Sequence, residues 1–411
     1  MHPVNVFTRI PNVLIMDRRK FLKQSSLASS LFFVPSFVKA FEQVASSNLG
    51  YKRLVIIQLS GGNDGLNTVV PFRNDLYYRE RPTLAIAKNE IIKLNDELGL
   101  HPNLTPLKRL YDQGYLTIIN NVGYPNPVRS HFRSMDIWQT ATDSDKFSQS
   151  GWLGRYLDNY AKNPHAAIEI DDSLSLAMKG ERLNGIATQN PDILYNLSRD
   201  PYFKNINKHQ NDAHLSEHNL GYLYKTMIEA QSSAKYIFET SKTVTSLKEY
   251  PNNKFGKQLK TTAKFINSGL DTKVFYTSLN GFDTHVNQLN TQKRLLKTYA
   301  EGIETFVEDL KANDTFKDTL ILTFSEFGRR VKQNANVGTD HGTANNVFII
   351  GDQLKKQGLY NDSPNLSNLD DNGDLKFEID FRTIYATVLD KWLEVNDEKV
   401  LNKSFIQLDF I

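Results

Sequence analysis

The chain has 411 residues, of which 40% are hydrophobic and 11% aromatic, so it is long enough for a large core and too apolar to be disordered. It has no cysteine, which excludes disulfides, iron–sulfur clusters and a cysteine nucleophile. The first 40 residues hold six Lys and Arg and one Asp, and the remaining 43 basic and 45 acidic residues nearly balance. The composition therefore gives no argument for nucleic acid as a partner.

Residues 1–40 are predicted to be an export signal. Asp17–Lys23 contains an arginine pair followed by Lys-Phe-Leu-Lys and resembles the twin-arginine consensus, whether translation starts at Met1 or at Met16. The apolar stretch Leu27–Val38 is too short to cross a bilayer, and the small or modest side chains that end at Ala40 predict cleavage there. The alternatives are an ordinary secretion signal or an uncleaved anchor. We expect a periplasmic or otherwise exported protein without a transmembrane segment after cleavage.

Five apolar, β-branched runs predict the strands of a buried sheet. In chain order they are Leu54–Leu59, Leu116–Ile119, Lys273–Leu279, Thr319–Phe324 and Asn346–Ile350. Between them, Gln288–Leu310 carries apolar residues at spacings near 3.6 and predicts a helix, and residues 218–267 are also compatible with helix. Alternating strands and helices predict an α/β fold with a doubly wound, mostly parallel sheet and helices on both faces.

Residues 50–411 are predicted to form one domain, because no internal repeat, low-complexity tract or linker divides them. The polar, turn-rich stretch at about 143–215 predicts an inserted cap. In doubly wound sheets, ligands bind outside the carboxyl ends of the strands. Polar motifs at those ends therefore carry the prediction of a functional site.

Two motifs follow the first two strands. The glycine-rich turn Ser60–Asn67 places Asp64 at a strand end as a hard oxygen ligand, and the alternative is an ordinary turn that caps the next helix. Arg129-Ser130-His131 precedes a predicted helix, where dipole and free backbone amides suit an anion or a nucleophile. The alternative for Ser130 is a helix cap alone.

Three further motifs surround the later strands. Asp283 and His285 stand on the loop after the third strand, Glu326 follows the fourth, and Asp340-His341-Gly342 precedes the fifth. Carboxylates and imidazoles are common ligands of divalent metals. Each motif alone is equally explained by a hydrogen-bonded loop or turn, but their convergence at strand ends predicts a shared metal site.

The motifs together resemble a known family. Gly-Gly-Asn-Asp-Gly-Leu-Asn, Arg-Ser-His-Phe, Gly-Trp-Leu-Gly-Arg, Gly-Phe-Asp-Thr-His, Ser-Glu-Phe-Gly-Arg and Gly-Thr-Asp-His-Gly follow a twin-arginine signal in that order. The set is similar to the exported bacterial proteins called domain of unknown function 1501, over about Leu54 to Trp392. That family is placed in the alkaline-phosphatase-like superfamily, which includes sulfatases and phosphomutases, so the resemblance implies that fold.

The resemblance also implies roles for individual residues. Ser130 stands where the superfamily has the nucleophile that opens a helix. The implied metal ligands are Asp64, Asp283, His285, Glu326 and His341. Phe327 departs from the pattern, because the superfamily has a metal-binding His there. The departure implies either one metal instead of two or a site that has lost catalysis.

Two functions from different classes remain open. The first is a metal-dependent hydrolase of a small anionic phosphate or sulfate ester or of a glycan that carries one. In it Ser130 attacks, His131 stands beside it, and Arg129 or Arg329 holds the anion. A divalent cation, Zn, Mn or Ca, would be bound by Asp64, Asp283, His285, Glu326, Asp340 or His341. The alternative is a non-catalytic periplasmic binding or assembly protein with a degenerate site.

Overall fold

The computed structural model describes residues 51–201 and 219–411. The predicted signal peptide, residues 1–40, lies outside the described residues, and so do residues 202–218 of the predicted cap. The strands are β1 (Arg53–Ser60), β2 (Val69–Val70), β3 (Ile92–Lys93), β4 (Gly99–Leu100), β5 (Leu116–Gly123), β6 (Ala167–Glu169), β7 (Ile186–Ala187), β8 (Val274–Asn280), β9 (Thr319–Phe324), β10 (Asn345–Ile350), β11 (Gly358–Leu359) and β12 (Ile379–Asp380).

The helices alternate with the long strands. They are α1 (Asp75–Glu80), α2 (Thr105–Asp112), α3 (His131–Thr140), α4 (Trp152–Tyr160), α5 (Pro191–Ser198), α6 (Asn219–Ser241), α7 (Lys254–Asn267), α8 (Gln288–Ala312), α9 (Phe381–Thr387) and α10 (Asp397–Leu401). A π-helical turn, Val388–Trp392, continues α9, and 3-10 turns cover Gly65–Asn67, Pro102–Leu104, Pro164–Ala166, Leu176–Met178 and Phe316–Asp318. Among the described residues, no helix is both long and apolar enough to span a membrane.

The predicted strands and helices are confirmed. The five apolar runs form β1, β5, β8, β9 and β10, and β5 continues beyond the predicted run to Gly123. The helix predicted from Gln288 is α8, and the helix-compatible stretch 218–267 forms α6 and α7 with a break between them. Asn253 ends that break, because its side chain accepts a hydrogen bond from the Gly256 amide and caps α7.

The central sheet is mixed. In the described residues it has the order β11-β5-β10-β9-β1-β8-β6-β7, with β12 also paired to β5. Only β10 in this sheet runs antiparallel to its neighbours, β5 and β9, and every other described pair in it is parallel. The carboxyl ends of β1, β5, β8 and β9 therefore share one edge with the amino end of β10. β2, β4 and β3 form a separate small antiparallel sheet.

Helices cover both faces of the sheet, as the sequence predicts. Val55 and Ile57 of β1 face a core that includes residues of α2, α7 and α8, whereas Leu54 and Ile56 face a core with residues of α3, α4 and α9. Because β1 is buried on both sides, its sequence is continuously apolar instead of alternating.

The cap predicted at about 143–215 stays a prediction, and the structure describes its residues 143–201. Within its described part, α4 packs into the core of one sheet face, and β6 and β7 extend the central sheet beyond β8. β6 has three residues and β7 two, which is too short to produce an apolar run, and pairing with β8 supports them instead. Residues 143–201 thus contribute two short strands to the sheet and one helix to the layer on one of its faces.

Candidate metal centre and active site

Histidine and carboxylate side chains from four chain segments meet at the sheet edge where the parallel strands end. They are His131 at the start of α3, Asp283 and His285 after β8, Glu326 after β9, and Asp340 and His341 before β10. Because β10 is antiparallel, the residues that precede it reach the same edge as the residues that follow the parallel strands. The sheet topology explains how residues distant in sequence come together.

Two imidazoles are held through Nδ1 by oxygen acceptors. His131 Nδ1 lies 3.0 Å from Oε1 of Glu326, and His341 Nδ1 lies 2.7 Å from the carbonyl oxygen of Arg129. A carboxylate or a carbonyl oxygen can only accept, so Nδ1 donates in both rings. In the neutral form each ring therefore keeps its lone pair on Nε2.

The lone pairs of these two rings converge on one carboxylate oxygen. His131 Nε2 and His341 Nε2 both lie 3.3 Å from Oδ1 of Asp283. His131 Nε2 is buried and has no hydrogen-bond partner among the described residues. Two nitrogen lone pairs and a carboxylate repel one another unless a proton or a cation lies between them.

His285 closes the group on its solvent side. Its Nδ1 lies 3.1 Å from Oδ1 of Asp340, so that nitrogen also donates to a carboxylate. Its Nε2 lies 3.1 Å from Oδ1 of Asp283 and 2.8 Å from Nε2 of His341. We refer to His131, Asp283, His285 and His341 as the histidine cluster.

The charges of the cluster are set by its surroundings. Burial alone would raise the pKa of Asp283, but a hydrogen bond and the charge of Arg329, together with His131 and His341, lower that pKa to about 2. The hydrogen bond to Glu326 is the largest cause that raises the pKa of His131 above its ordinary 6.5. Burial lowers the pKa of His341, which favours the neutral ring.

The donor set fits a divalent cation. One donor atom from each of His131, Asp283 and His341 lies within 4.8 Å of the other two. Imidazole nitrogens whose opposite N–H is anchored by a carboxylate or carbonyl are the usual protein ligands of zinc, and the anchor fixes ring orientation. Nitrogen-rich sets suit Zn better than Mn or Ca, which prefer oxygen ligands.

Phe327 forms the apolar floor of the cluster. It is 2% exposed, and its ring centroid lies 4.8 Å from that of His131 and 4.7 Å from that of His341. The side chain therefore supports two imidazoles by packing and cannot bind a metal itself. Among the described residues, His131, Asp283 and His341 are the only set of three such side chains whose donor atoms lie close enough together to hold a metal ion.

Arg329 joins the loops that carry the site. It is 2% exposed, and its Nη2 donates to Oδ1 of Asp283 at 2.7 Å, its Nε to the Gly62 carbonyl at 2.7 Å and its Nη1 to the Thr339 carbonyl at 2.9 Å. Gly61 beside it has φ +117, and a Cβ there would lie 2.4 Å from the backbone nitrogen of Asp283. Only glycine permits this close approach of two loops.

Asp64 has its own set of partners and, among the described residues, makes no hydrogen bond to the histidine cluster. Its Oδ2 accepts a hydrogen bond from Nη1 of Arg81 at 2.6 Å, and neither side chain is exposed. Gln288 also donates to Oδ2 of Asp64. Oδ1 of Asn67 accepts from Nη1 of Arg81 and from the Tyr77 hydroxyl, which completes this Asp64 cluster. The carboxylate is thus neutralised by a buried guanidinium.

Ser130 and Arg129 precede the cluster on the loop that enters α3. Ser130 is exposed, and within the described residues its hydroxyl makes no capping hydrogen bond, although its carbonyl accepts from the Ser134 amide. Arg129 binds two carboxylates, with Nε 2.6 Å from Oδ2 of Asp374 and Nη2 3.0 Å from Oδ2 of Asp370.

Two residues that neutralise charges near the site are not among those predicted from the sequence. Arg81 and Asp374 are both completely buried, and each neutralises an opposite charge near the site. Asp374 stands in Asp370-Asp-Asn-Gly-Asp374, an acidic turn that the sequence displays, whereas Arg81 has no motif around it. The predicted ligands Glu326 and Asp340 act in the structure as acceptors for imidazole N–H groups.

The fold and the site define an α/β protein with a mixed central sheet and a candidate metal centre at its carboxyl edge. The chain belongs to the family described as protein of unknown function (DUF1501), whose model matches residues 113–405. This match confirms the family resemblance of the motifs. No curated protein matches the chain.

Solved structures give remote likenesses. A sulfatase from Pseudoalteromonas sp. has 12% identity and a TM-score of 0.41 over 94% of this chain and 74% of its own. A protein of the alkaline phosphatase superfamily from Vibrio parahaemolyticus has 14% identity and a TM-score of 0.36 over 95% and 79%. A periplasmic domain from Escherichia coli, in complex with Zn, has 11% identity and a TM-score of 0.35 over 74% and 73%. The chemistry of the site therefore rests on the residues of this chain.

Proposed function

We propose that the protein is an exported, metal-dependent hydrolase of phosphate or sulfate esters. One observation carries the proposal: the imidazoles of His131 and His341, each anchored through Nδ1, direct Nε2 at a carboxylate oxygen of Asp283. The Asp283 side chain is 49% exposed, so the group is open to a substrate. Such a set of donors at the edge of a sheet can bind a cation and adds no apolar packing to the core.

His131, Asp283 and His341 would hold the cation, and His285 is the nearest additional donor. When bound, a divalent cation lowers the pKa of a nearby hydroxyl and neutralises the charge that develops on an ester oxygen. Glu326 and Asp340 then serve to orient His131 and His285 through their Nδ1 protons. The three donors include two nitrogens, so we infer Zn in preference to Mn or Ca.

Ser130 is the proposed nucleophile. It lies between Arg129, whose carbonyl holds His341, and His131, so both of its neighbours in the chain contact the cluster. Its hydroxyl is at the first turn of α3, where the helix dipole favours an anion. No capping hydrogen bond occupies that hydroxyl among the described residues.

Arg129 is the proposed anion-binding residue. Its Nε and Nη2 are held by Asp370 and Asp374, and its Nη1 has no hydrogen bond or ion pair to a described residue. The side chain is therefore fixed in place by the acidic partners while one N–H group remains to bind an oxygen of the ester. Arg329, the second choice from sequence, is fully engaged with backbone carbonyls and Asp283.

Exposed apolar side chains beside the cluster suit an aryl ester as the first test substrate. Phe132, next to His131, is 87% exposed, and Val286, next to His285, is 60% exposed. An aromatic leaving group can contact such side chains while its ester group meets the cation.

Substitution of Ser130 tests the assignment. We expect Ser130→Ala, loaded with Zn or Mn, to lose turnover of p-nitrophenyl phosphate and sulfate by roughly a thousandfold or more, because the reacting atom is removed. Its melting temperature and metal content should match the wild type, since the hydroxyl caps no helix. Wild-type protein that binds metal and hydrolyses neither ester would contradict the proposal.

The second candidate is a periplasmic binding or assembly protein that binds a metal without catalysis. Phe327 favours it, because an aromatic ring fills a position that the sequence resemblance assigns to a metal ligand. Metal binding without turnover in the assay above would select this function.

We infer export from the twin-arginine motif in Asp17–Lys23. Cell fractionation should find the mature chain, starting after Ala40, outside the cytoplasm. A cytoplasmic, uncleaved chain would contradict this inference.

A further inference from the structure

An acidic hairpin, residues 369–375, lies beside the histidine cluster. Leu369 and Leu375 pair as an antiparallel bridge, and Gly373 turns the chain at φ +80. Asp370 closes the hairpin, because its Oδ1 accepts from the amides of Asn372 at 2.9 Å and Asp374 at 2.8 Å. The hairpin is thus a compact, internally bonded unit and not a loose loop.

The last aspartate of the hairpin, Asp374, is completely buried and binds two arginines. Asp374 Oδ2 accepts from Nε of Arg129 at 2.6 Å, and its Oδ1 accepts from Nε of Arg330 at 3.2 Å. Arg129 follows β5, whereas Arg330 follows β9. One buried carboxylate therefore joins two loops that start from different strands.

The backbone of those arginines in turn holds the ligands. The carbonyl of Arg129 accepts from Nδ1 of His341 at 2.7 Å, and His131 follows two residues later. The amide of Arg330 donates to the carbonyl of Asp340 at 3.1 Å, directly before His341. The position of each loop thus determines the position of one imidazole.

We propose that Asp374 is a positioning residue that fixes the separation of His131 and His341, and so the metal affinity of the site. The proposal rests on the metal centre of the proposed function. Charged groups that are buried and paired resist displacement, because breaking the pair leaves an uncompensated charge. Asp374 thereby acts on the metal through Arg129 and His341 without touching it.

The variant Asp374→Asn tests this role. It keeps the size of the side chain and an acceptor oxygen but removes the charge that holds both guanidinium groups. Partners outside the first ligand sphere typically change metal affinity about 10–100-fold, and we expect a rise of that size in the Kd for Zn²⁺ alone. Titration calorimetry with a competing chelator measures the Kd in the folded protein.

A matched control separates positioning from general stability. Asp143→Asn removes the charge of another carboxylate, which is bound to the largely buried Arg382. Among the described residues, the side chain of Asp143 pairs with Arg382 and Lys146 and not with the histidine cluster. We expect it to lower the melting temperature and leave the Kd for Zn²⁺ unchanged. An equal rise of Kd in both variants, or no rise in Asp374→Asn, would overturn the proposal.

Two further measurements cover the remaining outcomes. If Asp374→Asn does not fold, Asp370→Asn is the second variant. It keeps an acceptor oxygen for the hairpin amides and weakens the Nη2 contact of Arg129, so it should raise the Kd in the same direction, and no rise would overturn the proposal. If the wild type binds no Zn²⁺, the proposed function fails first. Nitrogen NMR of metal-free protein then decides: a loss of the single Nδ1–H tautomer of His341 in Asp374→Asn supports positioning, and an unchanged tautomer contradicts it.

Discussion

Two regions at the same sheet edge each contain an aspartate that the sequence suggests as a metal ligand. In the Asp64 cluster the carboxylate is fully buried and paired with the guanidinium of Arg81. In the histidine cluster, Asp283 is half exposed and faces three imidazoles as well as Arg329. Asp64 and Asp283 are the same residue type and both follow a strand of the sheet, but their hydrogen-bond and ion-pair partners differ.

The comparison shows that the partner, and not the strand-end position, decides what a carboxylate can do. A guanidinium satisfies Asp64 permanently, because arginine does not release its proton. Imidazoles can lose theirs near neutral pH, so the lone pairs around Asp283 become available to a cation. A strand-end aspartate is therefore structural in the first region and a candidate ligand in the second.

The largest expected difference between the regions is in metal affinity. We expect His341→Ala to raise the Kd for Zn²⁺ by more than the roughly 10–100-fold that loss of an outer partner costs, because a direct ligand is removed. The control is His101→Ala, which removes a buried imidazole near Asp64. Equal affinity of both variants for Zn²⁺ in a chelator competition would contradict the assignment of the metal site to the histidine cluster.

For the free energy of unfolding, we expect the larger effect from a substitution in the Asp64 cluster. Asp64→Asn leaves the charge of Arg81 buried without its partner, so we expect the free energy of unfolding to fall by about 3–5 kcal/mol. Denaturant titration of the metal-free protein measures it, with Asp283→Asn as the matched variant in the exposed region. The Kd for Zn²⁺ of Asp64→Asn should stay at the wild-type value, and a large rise would place Asp64 in the metal site.

A smaller effect concerns pH. His131 must lose its proton to bind a cation, and its pKa is raised above 6.5, chiefly by the hydrogen bond to Glu326. Above the lowered pKa of His341, metal affinity should therefore rise with pH by at most roughly tenfold per unit, until the pH exceeds the raised pKa of His131. Asp283, with a pKa of about 2, stays ionised throughout.

The control for the pH dependence is Glu326→Gln, which keeps an acceptor for Nδ1 of His131 but removes the charge. The affinity of Glu326→Gln for Zn²⁺ should stop rising at a lower pH than the affinity of the wild type does. A pH profile identical to the wild type would contradict the role of Glu326.

The long strands were predictable because a strand that is buried on both faces of a sheet has a continuously apolar sequence, as in β1 and β9. The direction of β10 was not, because parallel and antiparallel strands of a buried sheet have similar composition. That direction nevertheless brings His341 to the site. The short strands β6 and β7 depend on pairing with neighbours and leave no pattern of their own.

The sequence predicted which residue types form the site and at which strand ends they lie. Asp283, His285 and His341 meet, but the sequence could not show that Arg81, seventeen positions after Asp64, turns inward and neutralises that aspartate. It also could not show that Glu326 and Asp340 accept from imidazoles, because this depends on side-chain directions. Tertiary contacts, which have no local pattern, decide these roles.

Anomalous X-ray diffraction from crystals of the wild type grown with Zn²⁺ would locate a metal bound by the histidine cluster. We expect an anomalous peak about 2.0–2.2 Å from Nε2 of His131, Nε2 of His341 and a carboxylate oxygen of Asp283. A peak beside Asp64, or a well-ordered histidine cluster with no peak at a saturating concentration of Zn²⁺, would contradict it.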